Sequence, residues 1–143
     1  MPPQRFNWNC AACALDWVVR ATGLDENSTP EAATAAIGCP EQINPRVGLV
    51  DGSGAELGRV LWESYGQPTS QDWLDFDAVY ELAQHTTGMM AGASWYHWVA
   101  IRGVSGRALW IANSAPNYRG ISDTLGREAF QALGGFSVVW LES

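Results

Sequence analysis

The sequence contains no lysine, so all eight of its basic residues are arginines, set against fifteen acidic residues. The formal net charge is −7 and the isoelectric point is near 4.6. No cluster of basic residues is present, and such clusters are what attract nucleic acids and anionic membrane surfaces. The charge pattern therefore argues against nucleic acid and against a membrane as partner.

Long hydrophobic runs are missing as well. No apolar stretch approaches the ~20 residues that a membrane-spanning helix needs. The opening residues, "MPPQRFNWN", contain none of the hydrophobic segment that marks a secretory signal. We therefore expect production in the cytoplasm, and export by a route without a signal peptide stays open.

Cysteine is scarce: the chain has three, an odd number that fits a reducing compartment better than a disulfide framework. No internal repeat or low-complexity segment is visible. At 143 residues, with 47% apolar and 16% charged residues, the chain is long enough to bury a real core. We expect one domain spanning residues 1–143.

Helical patterns fill the first part of the chain. Apolar residues recur at helical spacing from Cys10 to about Thr22, and Gly23 supplies a stop. The segment "STPEAATAAIG" predicts a second, short helix with Ser28 and Glu31 as a capping box. Two more helices are predicted in "GAELGRVLWESYG" and "DFDAVYELAQHTTG", each closed by its final glycine.

Short β-rich segments follow in the second part of the chain. They are "MMAGAS", "HWVAIRG", "RALWIAN" and "FSVVWLE", with one more helix, "TLGREAFQALGG", before the last of them. Helices that come first and antiparallel strands that come afterwards indicate an α+β fold.

The two middle strands predict a hairpin whose loop is centred near Ser105, with Gly106 in the left-handed position. If the pairing is symmetric about Ser105, His97 lies directly opposite Asn113 on the same face of the sheet. Their Cβ atoms would then be about 4.5–5.5 Å apart. This register places an imidazole beside a carboxamide at the open end of the hairpin, and a one-residue bulge would break it.

The segment "CAAC" admits three interpretations. A redox C-x-x-C of the thioredoxin type follows a strand in a βαβ unit, and here only nine residues precede Cys10. A structural zinc site needs four ligands, and Cys39, His85 and His97 are scattered without a second paired cluster. In the third interpretation Cys10 is a nucleophile at the start of a helix, where the helix dipole and a nearby imidazolium lower its pKa.

A nucleophilic cysteine needs partners, and the sequence offers one for each role. His97 is the candidate base and Asn113 the group that orients it. Gln4 is a candidate to donate its amide N–H to a developing oxyanion, together with the backbone N–H of Cys10. In the alternative, Cys10 is an ordinary buried cysteine, as Cys13 is expected to be.

Aromatic residues flank the candidate catalytic positions. They predict an apolar substrate groove with polar handles, the alternative being that they simply cover the sheet. The residues in question are Trp8, Trp95, Tyr96 and Trp98.

The motif Q-x5-C-x-x-C-A-L near the start, "HWVAIRG" later, and an Asn at the end of the next strand resemble papain-like peptidases of the bacteriocin-processing, double-glycine type. The resemblance implies Cys10 as nucleophile, His97 as base, Asn113 as orienting residue and Gln4 as oxyanion donor. Two departures stand out: "CAA" replaces the family's Cys-Gly-Pro, and "SAP" follows Asn113 where the family usually has an immediate proline.

The expected fold is therefore papain-like α+β: an N-terminal helical lobe with Cys10 packs on an antiparallel sheet with His97 and Asn113. The expected function is a cysteine peptidase or amide hydrolase acting on a peptide or peptide-like substrate, with no metal and no organic cofactor. Two alternatives remain, an inactive papain-like binding module and a transglutaminase-type acyltransferase with the same triad. The sequence predicts neither the identity of the substrate nor the oligomeric state.

Overall fold

The structure is a computed structural model that describes residues 10–37, 43–44, 48–49, 55–86, 88–93, 98–113, 123–132 and 136–142. The helices are α1 (Cys10–Ala21), α2 (Pro30–Ile37), α3 (Ala55–Tyr65), α4 (Phe76–Ala83) and α5 (Arg127–Ala132). The strands are β1 (Ile43–Asn44), β2 (Gly48–Leu49), β3 (Thr69–Leu74), β4 (Met89–Ala93), β5 (Val99–Ser105), β6 (Ala108–Ala112), β7 (Thr124–Leu125) and β8 (Phe136–Leu141). In these parts of the chain no helix is long and apolar enough to cross a membrane.

Helix α1 forms where the apolar spacing predicts it. It begins at Cys10, and almost all of its side chains are buried. Gly23 takes φ +78°, a left-handed conformation that lets the chain leave the helix without a Cβ clash. The position of this helix was therefore readable from the sequence.

The cap of α2 differs from the prediction. Thr29, not Ser28, is the N-cap: its Oγ1 accepts the backbone N–H of Ala32 at 3.1 Å. Pro30 then occupies the first helical position, where its missing N–H costs nothing. The predicted capping box is therefore wrong by one residue, because Pro30 fixes where the helix starts.

Helix α4 also ends earlier than its final glycine suggests. Asp75 caps its start by accepting the N–H of Ala78 at 2.9 Å, and the helix ends at Ala83 rather than continuing to Gly88. The polar residues after Ala83 lie outside the buried face, so no packing extends the helix through them.

Six strands form one antiparallel sheet in the order β3-β8-β4-β5-β6-β7. Its edge strand β3 was not predicted. The sequence of β3, "TSQDWL", is polar and its side chains are exposed or half-buried. It lacks the apolar alternation that reveals a strand, and its pairing with β8 holds it in the sheet.

The sheet buries both of its faces. On β5, Ala100 belongs to a cluster with α1, α2 and α3, whereas its neighbours Val99 and Ile101 belong to a cluster with α4 and α5. Successive side chains of a strand point to opposite faces, so helices cover the sheet on both sides. The predicted α+β fold with an N-terminal helical lobe on the sheet is confirmed, with the addition that α4 and α5 cover the second face.

The β5–β6 hairpin has a different register from the predicted one. Ser105 pairs with Ala108, so the loop consists of Gly106 and Arg107 alone. Gly106 has φ +60°, as its predicted left-handed role requires. Arg102 is an extra residue on β5, which shifts the pairing between Ile101 and Gly103.

Candidate active site

The thiol of Cys10 lies where the start of α1 meets the start of β5. The backbone N–H of Trp98 donates to Cys10 Sγ across 3.3 Å. Cys10 is 1% exposed and belongs to the same buried cluster as the Trp98 side chain. Residues 88 positions apart in the chain are thus joined at the sulfur atom.

The pKa of the Cys10 thiol is raised from 9.0 to about 11. Burial is the main cause, since it removes the water that would stabilise a thiolate. The backbone N–H groups of Trp98, Ala11 and Cys10 oppose it and lower the pKa. The sequence predicted a lowered pKa; in this structure burial outweighs the backbone donors, whereas the predicted contribution of His97 lies outside the described residues.

Cys13, one helical turn after Cys10, is also buried. The two cysteines of "CAAC" form no disulfide with one another in this structure. Within the described ranges, no group of three or more histidine, cysteine or acidic side chains is placed to hold a metal ion. Cys13 fits the buried role that the sequence predicted for it.

Asn113 follows the last residue of β6 and is buried. Ala100 pairs with Ala112, so continuing the register by one residue sets Asn113 opposite Val99. The predicted register, which set Asn113 opposite His97, is therefore wrong, mainly because the turn lies at Gly106 and Arg107 and not around Ser105, whereas the bulge at Arg102 changes the pairing by one residue. Asn113 nevertheless lies at the end of the hairpin where β5 begins.

The remaining predicted site residues lie outside the described part of the chain, and their roles stay predictions. They are Gln4, Trp8, Trp95, Tyr96 and His97.

Trp98 is the one residue of the predicted substrate groove that the structure describes. It is 3% exposed, and it packs in the core cluster with Cys10. Its indole packs against the helical lobe, and its contact with substrate stays a prediction. The contribution of Trp98 that sequence reasoning missed is its backbone N–H, which no side-chain pattern reveals.

A groove of about 900 Å³ opens on the other face of the sheet. It runs between α4 and α5, with Phe76, Tyr80 and Arg127 among the residues that line it. Phe76 belongs to the second core cluster, on the face opposite the one that holds Cys10. The groove is therefore separate from the thiol and was not predicted.

Comparisons with known proteins identify the fold. No protein-family model matches the chain, and no curated protein matches it. A solved structure does: the crystal structure of a double glycine motif protease from an AMS/PCAT transporter, in complex with the leader peptide. The match has a TM-score of 0.71 and 14% sequence identity, and it covers 100% of this chain and 90% of the other.

At this identity the likeness establishes the fold alone. The chain has the α+β fold of a cysteine peptidase of the double-glycine type.

Proposed function

We propose that the protein is a cysteine peptidase that hydrolyses an amide bond in a peptide substrate, with Cys10 as its nucleophile. Three residues complete the proposed machinery: His97 as base, Asn113 as the group that orients it, and Gln4 as oxyanion donor.

The observation that carries the proposal is the contact between the Trp98 N–H and Cys10 Sγ at 3.3 Å. That N–H belongs to the peptide bond that joins Trp98 to His97 in the chain. A catalytic thiol and its base must lie within hydrogen-bond reach of each other. The contact ties the sulfur to the residue next to the proposed base, across 88 positions of sequence.

The position of Asn113 gives a second line of support. Strands β5 and β6 are antiparallel, so the start of β5 and the end of β6 lie at the same end of the hairpin. Asn113 follows β6 at that end, and Cys10, at the start of α1, contacts the residue that precedes β5 there. Residues from three separate elements therefore converge, as a Cys-His-Asn site requires.

The solved structure with the same fold is a protease, and it holds a leader peptide. A shared fold does not by itself carry an activity. Together with a cysteine at the head of the first helix, however, it supports peptide hydrolysis and a peptide substrate for this chain.

The proposed reaction has two steps. The Cys10 thiol gives its proton to His97, and the thiolate attacks the substrate carbonyl while Gln4 and the backbone N–H of Cys10 stabilise the oxyanion. His97 returns the proton to the leaving amine, which leaves an acyl group on the sulfur. Water, deprotonated by His97, then releases the acid and restores the thiol.

The burial of Cys10 favours a second candidate, an inactive papain-like binding module. A thiol that is 1% exposed, with its pKa raised to about 11, is protonated at neutral pH and screened from a carbonyl. Peptidase activity thus requires that Cys10 Sγ become accessible to the substrate carbonyl when substrate binds. A binding module would need no such opening.

A peptide-library digest tests the two candidates. A mixture of peptides of defined sequence is incubated with the wild type, with Cys10→Ala and with Cys13→Ala, and new termini are identified by mass spectrometry. Cys13→Ala is the matched control, because it removes a buried thiol one turn along the same helix. A peptidase yields new termini with the wild type and Cys13→Ala only.

Other outcomes have distinct signatures. Peptides that bind equally to the wild type and Cys10→Ala without cleavage would contradict the peptidase and support the binding module. Products that carry an added primary amine in place of water would identify acyl transfer by the same thiol.

A further inference from the structure

The N–H of Trp98 lies immediately before the first residue of β5. The ladder of β5 begins at Val99, so the preceding N–H lies just outside the strand pairing. A buried backbone donor rarely goes without a partner. Here the partner is Cys10 Sγ, at 3.3 Å.

A sulfur atom accepts a hydrogen bond weakly as a thiol and strongly as a thiolate, because charge strengthens the bond. The hydrogen bond from the Trp98 N–H therefore stabilises the thiolate of Cys10 more than it stabilises the thiol. It acts together with the backbone N–H groups of Ala11 and Cys10 at the helix start. Of the three, only the Trp98 donor comes from outside α1, from the residue that precedes β5.

We propose that the backbone N–H of Trp98 is a catalytic group that stabilises the thiolate of Cys10. Its catalytic meaning rests on the proposed function, whereas its effect on the thiol does not. The donor is part of the main chain, so every residue except proline would supply it at position 98. The indole is needed only for packing.

Small residues hold the donor and the sulfur together. Ala11, Ala14 and Ala100 are fully buried in the cluster that contains Cys10. With no side chain beyond Cβ, they let α1 lie close to β5. The distance from Trp98 N to Cys10 Sγ is thus set by how closely the helix approaches the strand.

An amide-to-ester exchange tests the proposal. The full chain is made with the α-hydroxy analogue of tryptophan at position 98, which replaces the N–H by an oxygen and keeps the indole. The control chain carries the α-hydroxy analogue of valine at position 104, on β5. Circular dichroism establishes that both chains fold.

The measured quantity is the rate at which iodoacetamide alkylates Cys10, followed from pH 6 to 11.5 by peptide mapping. In this reaction the thiolate attacks the methylene carbon, iodide leaves, and the thiol proton passes to solvent. Loss of the Trp98 donor should displace the whole rate–pH curve, and with it the midpoint, upward by about one unit or more, seen as about tenfold slower alkylation at each pH below 11, since hydrogen bonds to charged groups are the stronger class. The control at position 104 should leave it unchanged.

An unchanged midpoint in the folded 98-ester would overturn the proposal, and so would equal shifts in both esters. If the 98-ester does not fold, amide hydrogen exchange of Trp98 in the unmodified protein decides the matter. Exchange should be slow in the wild type and at least tenfold faster in Cys10→Ala, with the amides of β5 as internal reference. An unprotected Trp98 amide in the wild type would overturn the proposal.

The outcome is independent of the peptidase assay. A raised midpoint with no cleaved peptide would refute the proposed function and keep the thiolate donor. Cleavage of peptides with an unchanged midpoint would support the proposed function and refute the role of the Trp98 N–H.

Discussion

Ala100 on β5 pairs directly with Ala112 on β6, and both side chains belong to the buried cluster that contains Cys10. This pair lies at the end of the hairpin where the Trp98 N–H donates to the Cys10 thiol. It also provides the flat surface on which α1 packs. The geometry at Cys10 therefore depends on two methyl groups.

Enlarging Ala100 should disturb both stability and the thiol. Ala100→Leu adds three carbons to a filled site, which should lower the free energy of unfolding by about 1–3 kcal/mol. It should also separate α1 from β5 and expose the sulfur, which should speed alkylation of Cys10 at a fixed alkaline pH, because burial is the main cause of its raised pKa. Urea denaturation and iodoacetamide kinetics measure the two effects.

Ala108→Leu is the matched control for this variant. It makes the same change on the same hairpin, at a half-buried position beside the turn. Its effect on stability should be within about 0.5 kcal/mol, as for surface sites generally. Equal losses in the two variants would show that the packing at Ala100 is not special.

The raised pKa of Cys10 predicts a loss of stability at alkaline pH. The folded protein holds the thiol proton more tightly than the unfolded chain, with a pKa of about 11 against 9.0. The resulting stabilisation is complete below pH 9 and is lost as the pH rises through 11. Two pKa units correspond to about 2–3 kcal/mol.

Chemical denaturation from pH 8 to 11.5 measures this loss by comparing the wild type with Cys10→Ala. The variant should be less stable at pH 8, and the difference should shrink as the pH rises. A difference that stays constant across the range would show that the Cys10 thiol is not protected from ionisation.

A buried ion pair on α1 predicts a large effect from one arginine. Asp16 is 1% exposed, and its Oδ2 accepts from Arg20 Nη2 at 2.8 Å and from Nε at 3.1 Å. Its Oδ1 has no hydrogen-bond partner among the described residues. Arg20→Ala would leave the carboxylate without its cation and should lower the free energy of unfolding by about 3 kcal/mol.

Two comparisons test that explanation by denaturation. Arg59→Ala on α3 removes pairs with the more exposed carboxylates of Glu56 and Glu63 and a hydrogen bond to the Ile37 carbonyl, so it should cost about 1 kcal/mol, well below Arg20→Ala. Adding Asp16→Asn to Arg20→Ala should restore part of the stability, because the stranded charge is gone. If the double variant is no more stable than Arg20→Ala, an uncompensated charge is not the cause.

The cap of α2 gives a prediction in which sequence and structure disagree. Thr29→Ala removes the acceptor of the Ala32 N–H and should cost about 1 kcal/mol. Ser28→Ala should cost less than Thr29→Ala, since Ser28 Oγ, which lies beside the Tyr65 hydroxyl, accepts no N–H at the start of α2 in the part of the chain that the structure describes. Thermal or urea denaturation distinguishes the two, and a larger loss from Ser28→Ala would restore the capping box that the sequence suggested.

The helices were predictable because their information is local. The apolar spacing after Cys10 and the left-handed Gly23 mark α1 without reference to any other part of the chain. Strand β3 was not predictable in the same way. Its residues are polar and exposed, and only the partner strand β8 makes them a strand.

For the candidate site, too, local features were predictable from the sequence and long-range features were not. The sequence by itself determined the residue types that a thiol site uses, and it placed Cys10 at the start of a helix and Asn113 at the end of a strand. Tertiary structure decided the register, because the two-residue turn at Gly106 and Arg107 and the extra residue at Arg102 depend on pairing across the hairpin and not on side-chain alternation. It also decided the state of the thiol, since burial and a main-chain donor from Trp98 arise only when α1 packs on β5.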